Sequence, residues 1–188
     1  MIKEIINVSK TNADICLEIY NTSKPFIKNF RTAIDVGCRD GDFTRPMSKD
    51  FNNVKSFDYR DRILDKANNV KYFQYALGDK EADVKAFKGV IAESREGVAS
   101  SIVLQKTLDS FNFEDVDYIK IDVEGHELKV LKGAINTINK YSPLIVVEEN
   151  GSAEKWNKGI KNEALNYLQE LGYKIVAQNR NDYILEKK

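Results

Sequence analysis

The run Asp117-Tyr-Ile-Lys-Ile-Asp122-Val-Glu124-Gly125-His126-Glu127 carries an apolar stretch into a cluster of ionisable groups. A strand with only a packing task seldom ends so densely charged, because charge removed from water needs a partner. Asp122, Glu124, His126 and Glu127 are all able to accept a proton from a poorly acidic hydroxyl, and His126 has the unperturbed pKa nearest neutrality. The plainer reading of His126 is a surface histidine at the first turn of a helix over 127–140, where Glu127 is favoured by the helix N-terminus alone. Asp122 or Glu124 could instead bind a divalent cation that lowers the pKa of an acceptor. His126 is the only histidine, and the two cysteines, Cys16 and Cys38, sit outside any CxxC. HExxH sites and zinc sites built from several Cys and His are thereby excluded.

A second group lies upstream, where Asp35-Val-Gly37-Cys-Arg-Asp-Gly41 follows a short apolar run. Glycines at a strand-to-helix turn permit a tight bend and a close approach of backbone to ligand. The spacing is D-x-G-x-x-x-G, not the G-x-G-x-x-G that accommodates a dinucleotide pyrophosphate. A carboxylate there suits a ligand bearing cationic or hydroxyl groups. Asp58 closes the next apolar run, and an acid at that place can accept hydrogen bonds from both ribose hydroxyls. Two strand-end acids with glycines between them fit a nucleoside-bearing ligand in an open α/β crevice.

The elements that would position these groups are legible as alternating patterns. Residues 32–36, 54–58, 70–75, 118–123 and 144–147 read as buried strands. Leu128, Val130, Leu131, Ala134, Ile135 and Ile138 recur at helical spacing between the last two. Strands alternating with helices indicate βαβ units and a parallel sheet. Residues 161–171 read as a helix stopped by Gly172, and then 173–177 and 182–186 as two strands. The link 178–181 is too short for a crossover helix, so this pair is an antiparallel hairpin. Residues 1–30 read as a helical lead-in through Ile5, Ile6, Ile15, Ile19 and Tyr20, and 31–188 as the ligand-binding domain. Residues 81–106 show no clear pattern, and 93–101 read as a polar, exposed loop.

Lys120 interrupts the central strand between Ile119 and Ile121. Both faces of a parallel sheet are covered, so its ammonium needs a buried carboxylate partner. Glu148, ending the neighbouring strand, and Asp109 are the expected partners. Lys120 and Asp122 share a strand face by alternation.

Lys plus Arg and Asp plus Glu are both 29, a balance that argues against a domain holding nucleic acid by bulk charge. No apolar run approaches the ~20 residues that span a bilayer. The N-terminal residues lack an apolar h-region, and the thiols read as reduced, so the expected location is the cytoplasm.

The run D-Y-I-K-I-D-V-E-G-H-E-L-K-V-L-K-G-A, residues 117–134, closely resembles the signature of FkbM-type methyltransferases, which are S-adenosylmethionine-dependent O-methyltransferases. The resemblance extends in order through Asp35-Val-Gly37-Cys-Arg-Asp-Gly41 with Thr44, Ala76-Leu77-Gly78-Asp79, Thr107-Leu108-Asp109 and Pro143-Leu-Ile-Val-Val-Glu148. It departs at Cys38-Arg39-Asp40 and at Asp58-Tyr59, where many members have Glu-Pro. The resemblance implies an α/β, doubly wound, Rossmann-like sheet of seven mainly parallel strands with an antiparallel last strand. It implies that Gly37 and Gly41 line the methionine moiety, that Asp58 holds the ribose, and that Ala76 and Leu77 border the adenine. Asp35 would reach the donor's amino group, and Asp122 would serve the donor as well as the acceptor. His126, Asp122 and Glu124 are the implied catalytic candidates. The acceptor would be a small hydroxylated molecule or a glycan. Two other readings compete: a non-catalytic nucleoside-binding module with an assembly or regulatory role, and a nicotinamide oxidoreductase, against which the missing G-x-G-x-x-G counts.

Overall fold

A computed structural model of the chain describes residues 9–61, 67–91 and 101–187. Ile5, Ile6 and the polar stretch 93–100 therefore lie outside the described residues, while Ser101 opens a strand. In chain order the elements are α1 (Asn12–Ser23), β1 (Thr32–Val36), α2 (Thr44–Asp50), β2 (Asn53–Phe57), β3 (Val70–Phe73), β4 (Ala76–Leu77), β5 (Ala82–Phe87), β6 (Val90–Ile91) and β7 (Ser101–Lys106). They continue with β8 (Val116–Ile121), α3 (Glu127–Lys132), α4 (Ile135–Tyr141), β9 (Leu144–Glu148), α5 (Ser152–Asn157), α6 (Glu163–Glu170), β10 (Tyr173–Asn179) and β11 (Asp182–Lys187).

Seven strands form one sheet in the order β10-β11-β9-β8-β1-β2-β3. The ladders joining β9, β8, β1, β2 and β3 are parallel, and β11 runs antiparallel to both β9 and β10. The chain winds outward from β1 through β2 and β3, then returns to β8 and winds the other way. The switch point therefore lies between β1 and β8, where the carboxyl ends of the strands open a crevice. Alternation in the strands sends Ile34, Val36, Ile119, Ile121, Ile145 and Val147 to one face, which α3, α4 and α6 cover. Ala33, Tyr118, Val146 and Ile184 go to the other face, against Ile19 and Tyr20 of α1 and Met47 of α2. The lead-in helix thus packs into the core of the main sheet. No helix among the described residues is long and apolar enough to cross a membrane.

Two expectations change. The helix read over 127–140 is two helices, α3 and α4, broken at Gly133-Ala134. A Cβ on Gly133 would lie 1.9 Å from the Gly78 carbonyl oxygen, so the chain turns where a neighbouring backbone crosses it closely. The unclear stretch 81–106 supplies most of a second sheet, ordered β4-β7-β5-β6. Its strands mix charged with apolar residues, as in Ala82-Asp-Val-Lys-Ala-Phe, because one face packs Val84 and Ala86 inward and the other meets solvent. That sheet was hidden in sequence because its strands are short and partly polar.

Candidate active site

The strand ends at the switch point open into a cavity of about 670 Å³. Asp35, Gly37, Asp58, Ala76, Leu77, Asp122, Glu124 and His126 all line it. Gly41 does not. Its N–H donates to the Cys38 carbonyl at 2.7 Å, and its positive φ shapes the turn behind the wall. Gly37 has φ +85°, and a Cβ there would lie 1.8 Å from the Asp122 carbonyl oxygen, so the β1 and β8 ends approach as closely as only glycine permits.

One face of the main sheet carries a strip of charge at this edge. Alternation places Asp35 with Ala33, Lys120 and Asp122 with Tyr118, Glu148 with Val146, and Asp182 with Ile184. Lys120 is 3% exposed, and its Nζ lies 2.9 Å from Asp182 Oδ1 and 3.5 Å from Asp122 Oδ2. It also sits over the Phe43 ring, 5.4 Å from the centroid. Burial alone would lower the Lys120 pKa; the charges of Asp122 and Asp182 outweigh it and hold the ammonium above its usual value. The expected ion pair beneath the site therefore exists with a different partner. Glu148 acts on Lys120 only through its charge. Asp109 accepts hydrogen bonds from Asn136 N, Thr137 N and Thr137 Oγ1, which ties it to the start of α4. Asp182 wins because β11 is antiparallel: its first residue lies at the edge where the parallel strands end, in register with Glu148.

Asp35 is buried and accepts a hydrogen bond from Thr44 Oγ1 at 2.6 Å; burial pushes its carboxyl up to about 6. Glu148 is pushed up to about 9 by burial and then by the charge of Asp122, with which it shares a hydrogen bond. The Asp122 side chain is 41% exposed and faces the cavity. Glu124 has φ +57° and accepts from Ser152 Oγ at 2.9 Å and Asn150 Nδ2 at 3.3 Å. Asp122, Glu124 and Glu148 each bring one carboxylate oxygen within 4.8 Å of the others, the only cluster of this kind among the described residues and the one with donor atoms suited to a hard cation.

His126 is buried, not the surface residue of the plainer reading, and forms the N-cap of α3. Its Nε2 lies 2.8 Å from Gln105 Oε1, and Gln105 Nε2 donates to the Lys80 carbonyl. The amide orientation makes Oε1 the acceptor, so His126 carries a proton on Nε2. Glu127 turns into its own loop. Its Oε1 accepts from Val123 N at 3.1 Å and Gly125 N at 3.0 Å, and burial pushes its carboxyl up to about 7.

Asp58 sits at the end of β2 and is buried. Burial would raise its pKa, but hydrogen bonds and charge from Arg60, with the Arg39 N–H, hold it below the usual carboxylate range. Arg60, Gln105 and Asp182 were missed in the sequence. Asp-x-Arg at 58–60 was a readable local signal. Nothing local marks Gln105 or Asp182.

Residues 18–175 match the model of the Methyltransferase FkbM domain. The fold resembles a crystal structure of Methyltransferase FkbM from Methylobacillus flagellatus KT, at 17% identity and a TM-score of 0.55, over 85% of this chain and 44% of that one. A putative hemolysin from Lactococcus lactis aligns at 13% identity and a TM-score of 0.49, over 92% of this chain and 86% of that one. No curated protein sequence matches the chain as a relative. The chain thus spans less than half the length of the solved structure from Methylobacillus flagellatus.

Proposed function

Because the chain belongs to the FkbM methyltransferase domain family, we propose that it is an S-adenosylmethionine-dependent O-methyltransferase acting on a hydroxyl of a carbohydrate or similar hydroxylated acceptor. The observation that carries this reading is the convergence of Asp35, Gly37, Asp58, Ala76, Leu77 and Asp122 on one cavity at the switch point. The residues fit such a donor in kind. Asp58 places a carboxylate, paired with Arg60, where a diol would bind; buried Asp35 offers a carboxylate to an ammonium, and Ala76 and Leu77 offer an apolar wall to a base. When bound, the donor supplies an electrophilic methyl group on a sulfonium.

The chain's own residues then have three tasks: holding the two reactants in line, excluding water and removing the acceptor's proton. Asp122 is the best-placed base. Its side chain is 41% exposed, lines the cavity and lies beside the buried Lys120 ammonium. Glu124 is braced by Ser152 and Asn150, and His126 by Gln105, so both shape the acceptor side of the cavity.

Incubation with S-adenosylmethionine and pools of hydroxylated acceptors, read as S-adenosylhomocysteine release, tests the reaction. Binding without turnover would favour the non-catalytic nucleoside-binding module. Asp122→Asn is expected to lower turnover ~10²–10⁴-fold in protein that still binds S-adenosylhomocysteine. If His126→Asn has that effect and Asp122→Asn does not, the base is His126. Loss of turnover on chelation, restored by Mg²⁺ or Mn²⁺, would assign a divalent cation to the Asp122, Glu124 and Glu148 cluster.

A further inference from the structure

The carboxylate read as the ribose contact already has all its partners. An ionised carboxylate offers about four lone-pair positions, two on each oxygen. Asp58 Oδ1 accepts from Arg60 N at 2.9 Å and Arg60 Nε at 2.8 Å; Oδ2 accepts from Arg39 N at 3.0 Å and Arg60 Nη2 at 2.7 Å. Two of these bonds form a bidentate guanidinium–carboxylate pair, the strongest common geometry for this contact. Asp58 is buried, whereas the Arg60 side chain is 31% exposed and lines the same cavity.

The far side of the guanidinium faces the turn between β5 and β6. A Cβ on Gly89 would lie 3.3 Å from Arg60 Nη1, so the arginine fills the space between the β2 end and the second sheet. Arg60 is therefore spent on Asp58 and is not a free cation awaiting an anionic ligand.

We propose that Arg60 is an affinity-determining residue of the donor site, occupying the Asp58 carboxylate until a vicinal diol displaces its side chain. This rests on the donor reading above. Binding is then an exchange: the Nε and Nη2 hydrogen bonds are given up, the ligand's two hydroxyls donate in their place, and the backbone N–H bonds of Arg39 and Arg60 remain. A charged bidentate pair is lost for two neutral donors, so the exchange weakens donor affinity below what Asp58 alone would give.

Calorimetric titration with S-adenosylhomocysteine tests the exchange without turnover. Arg60→Gln is expected to bind more tightly than wild type, by on the order of tenfold. Arg60→Lys, which keeps the charge but not the planar fork, is expected to fall between them. In an Asp58→Asn background the gain from Arg60→Gln should vanish, since there is no longer a carboxylate to release. Melting temperatures of all variants, measured without ligand, check that they are folded. Equal or weaker binding by folded Arg60→Gln overturns the exchange while leaving the donor reading intact, as does a gain that persists with Asp58→Asn. Absence of binding by wild type and Arg60→Gln alike overturns the donor reading and the exchange with it.

Discussion

Lys120 is the residue on which the charge balance of the site turns. Its ammonium is buried beside Asp182 and Asp122, in register with Asp35 on β1 and over the Phe43 ring. Removing one member of a buried ion pair leaves the other uncompensated, which costs more than the pair contributes. Lys120→Met should therefore destabilise the protein by about 3–5 kcal/mol. Lys132→Met, on the exposed side of α3, should change stability by no more than ~0.5 kcal/mol. Adding Asp182→Asn to Lys120→Met should restore part of the loss, because the orphaned charge is gone. Urea denaturation of the three variants decides the matter, and a Lys120→Met midpoint indistinguishable from that of Lys132→Met would remove the lysine from this role.

At the scale of elements, the site depends on two strand ends that meet through glycine. β1 and β8 pair along their length, and Asp122 N donates to the Val36 carbonyl at 3.0 Å just beyond the ladder. Gly37 then passes the Asp122 carbonyl with no room for a side chain. Gly151, before α5, has a similar φ of +82°, but the nearest atom to its would-be Cβ is a Glu154 carboxylate oxygen at an ordinary 3.5 Å. Alanine at either position costs about 1–2 kcal/mol for the left-handed backbone. Only Gly37→Ala adds a clash between fixed backbones, so it should lose several times more stability than Gly151→Ala in the same denaturation assay. Equal losses would show that the strand ends can part freely. The loop after β8 is braced in a related way, by Glu127 reaching back to two N–H groups of the turn that holds Glu124 and His126.

For the molecule as a whole, buried carboxyls set how stability responds to pH. Folding raises Asp35 from 3.8 to about 6 and Glu127 from 4.5 to about 7, mainly through burial. Between the unfolded and folded values the native state binds more protons than the unfolded chain. Stability therefore falls as pH rises through this window, from about 4 to about 7. Asp58, held low by Arg60, acts in the opposite sense and withdraws stability only on the acid side, as pH falls below the usual carboxylate range. Glu127→Gln keeps the Oε1 acceptor for Val123 and Gly125 but no longer titrates. Its unfolding free energy should be flatter across pH 4.5 to 7, by up to one bound proton. An unchanged slope in thermal or urea unfolding across that range would place the Glu127 pKa near its ordinary value.

Local chemistry was enough to read the alternating strands and helices, the glycine turn, the acids at strand ends and the closing hairpin, because periodicity and turn residues act over a few positions. β1, β2, β8 and β9 fall where the apolar runs at 32–36, 54–58, 118–123 and 144–147 lie, and β10 and β11 pair as the short link 178–181 required. What sequence spacing could not specify was which distant groups meet. The partner of Lys120 is Asp182, not Glu148 or Asp109, because sheet order places β11 beside β9 and its antiparallel direction brings Asp182 to the site edge. His126 is buried because Gln105, on a strand of the second sheet, arrives beside it. The second sheet itself was masked by charged residues on its open face. Ion pairs and buried polar contacts are chosen by proximity in space, and that proximity is set by strand order and direction, which no local pattern encodes.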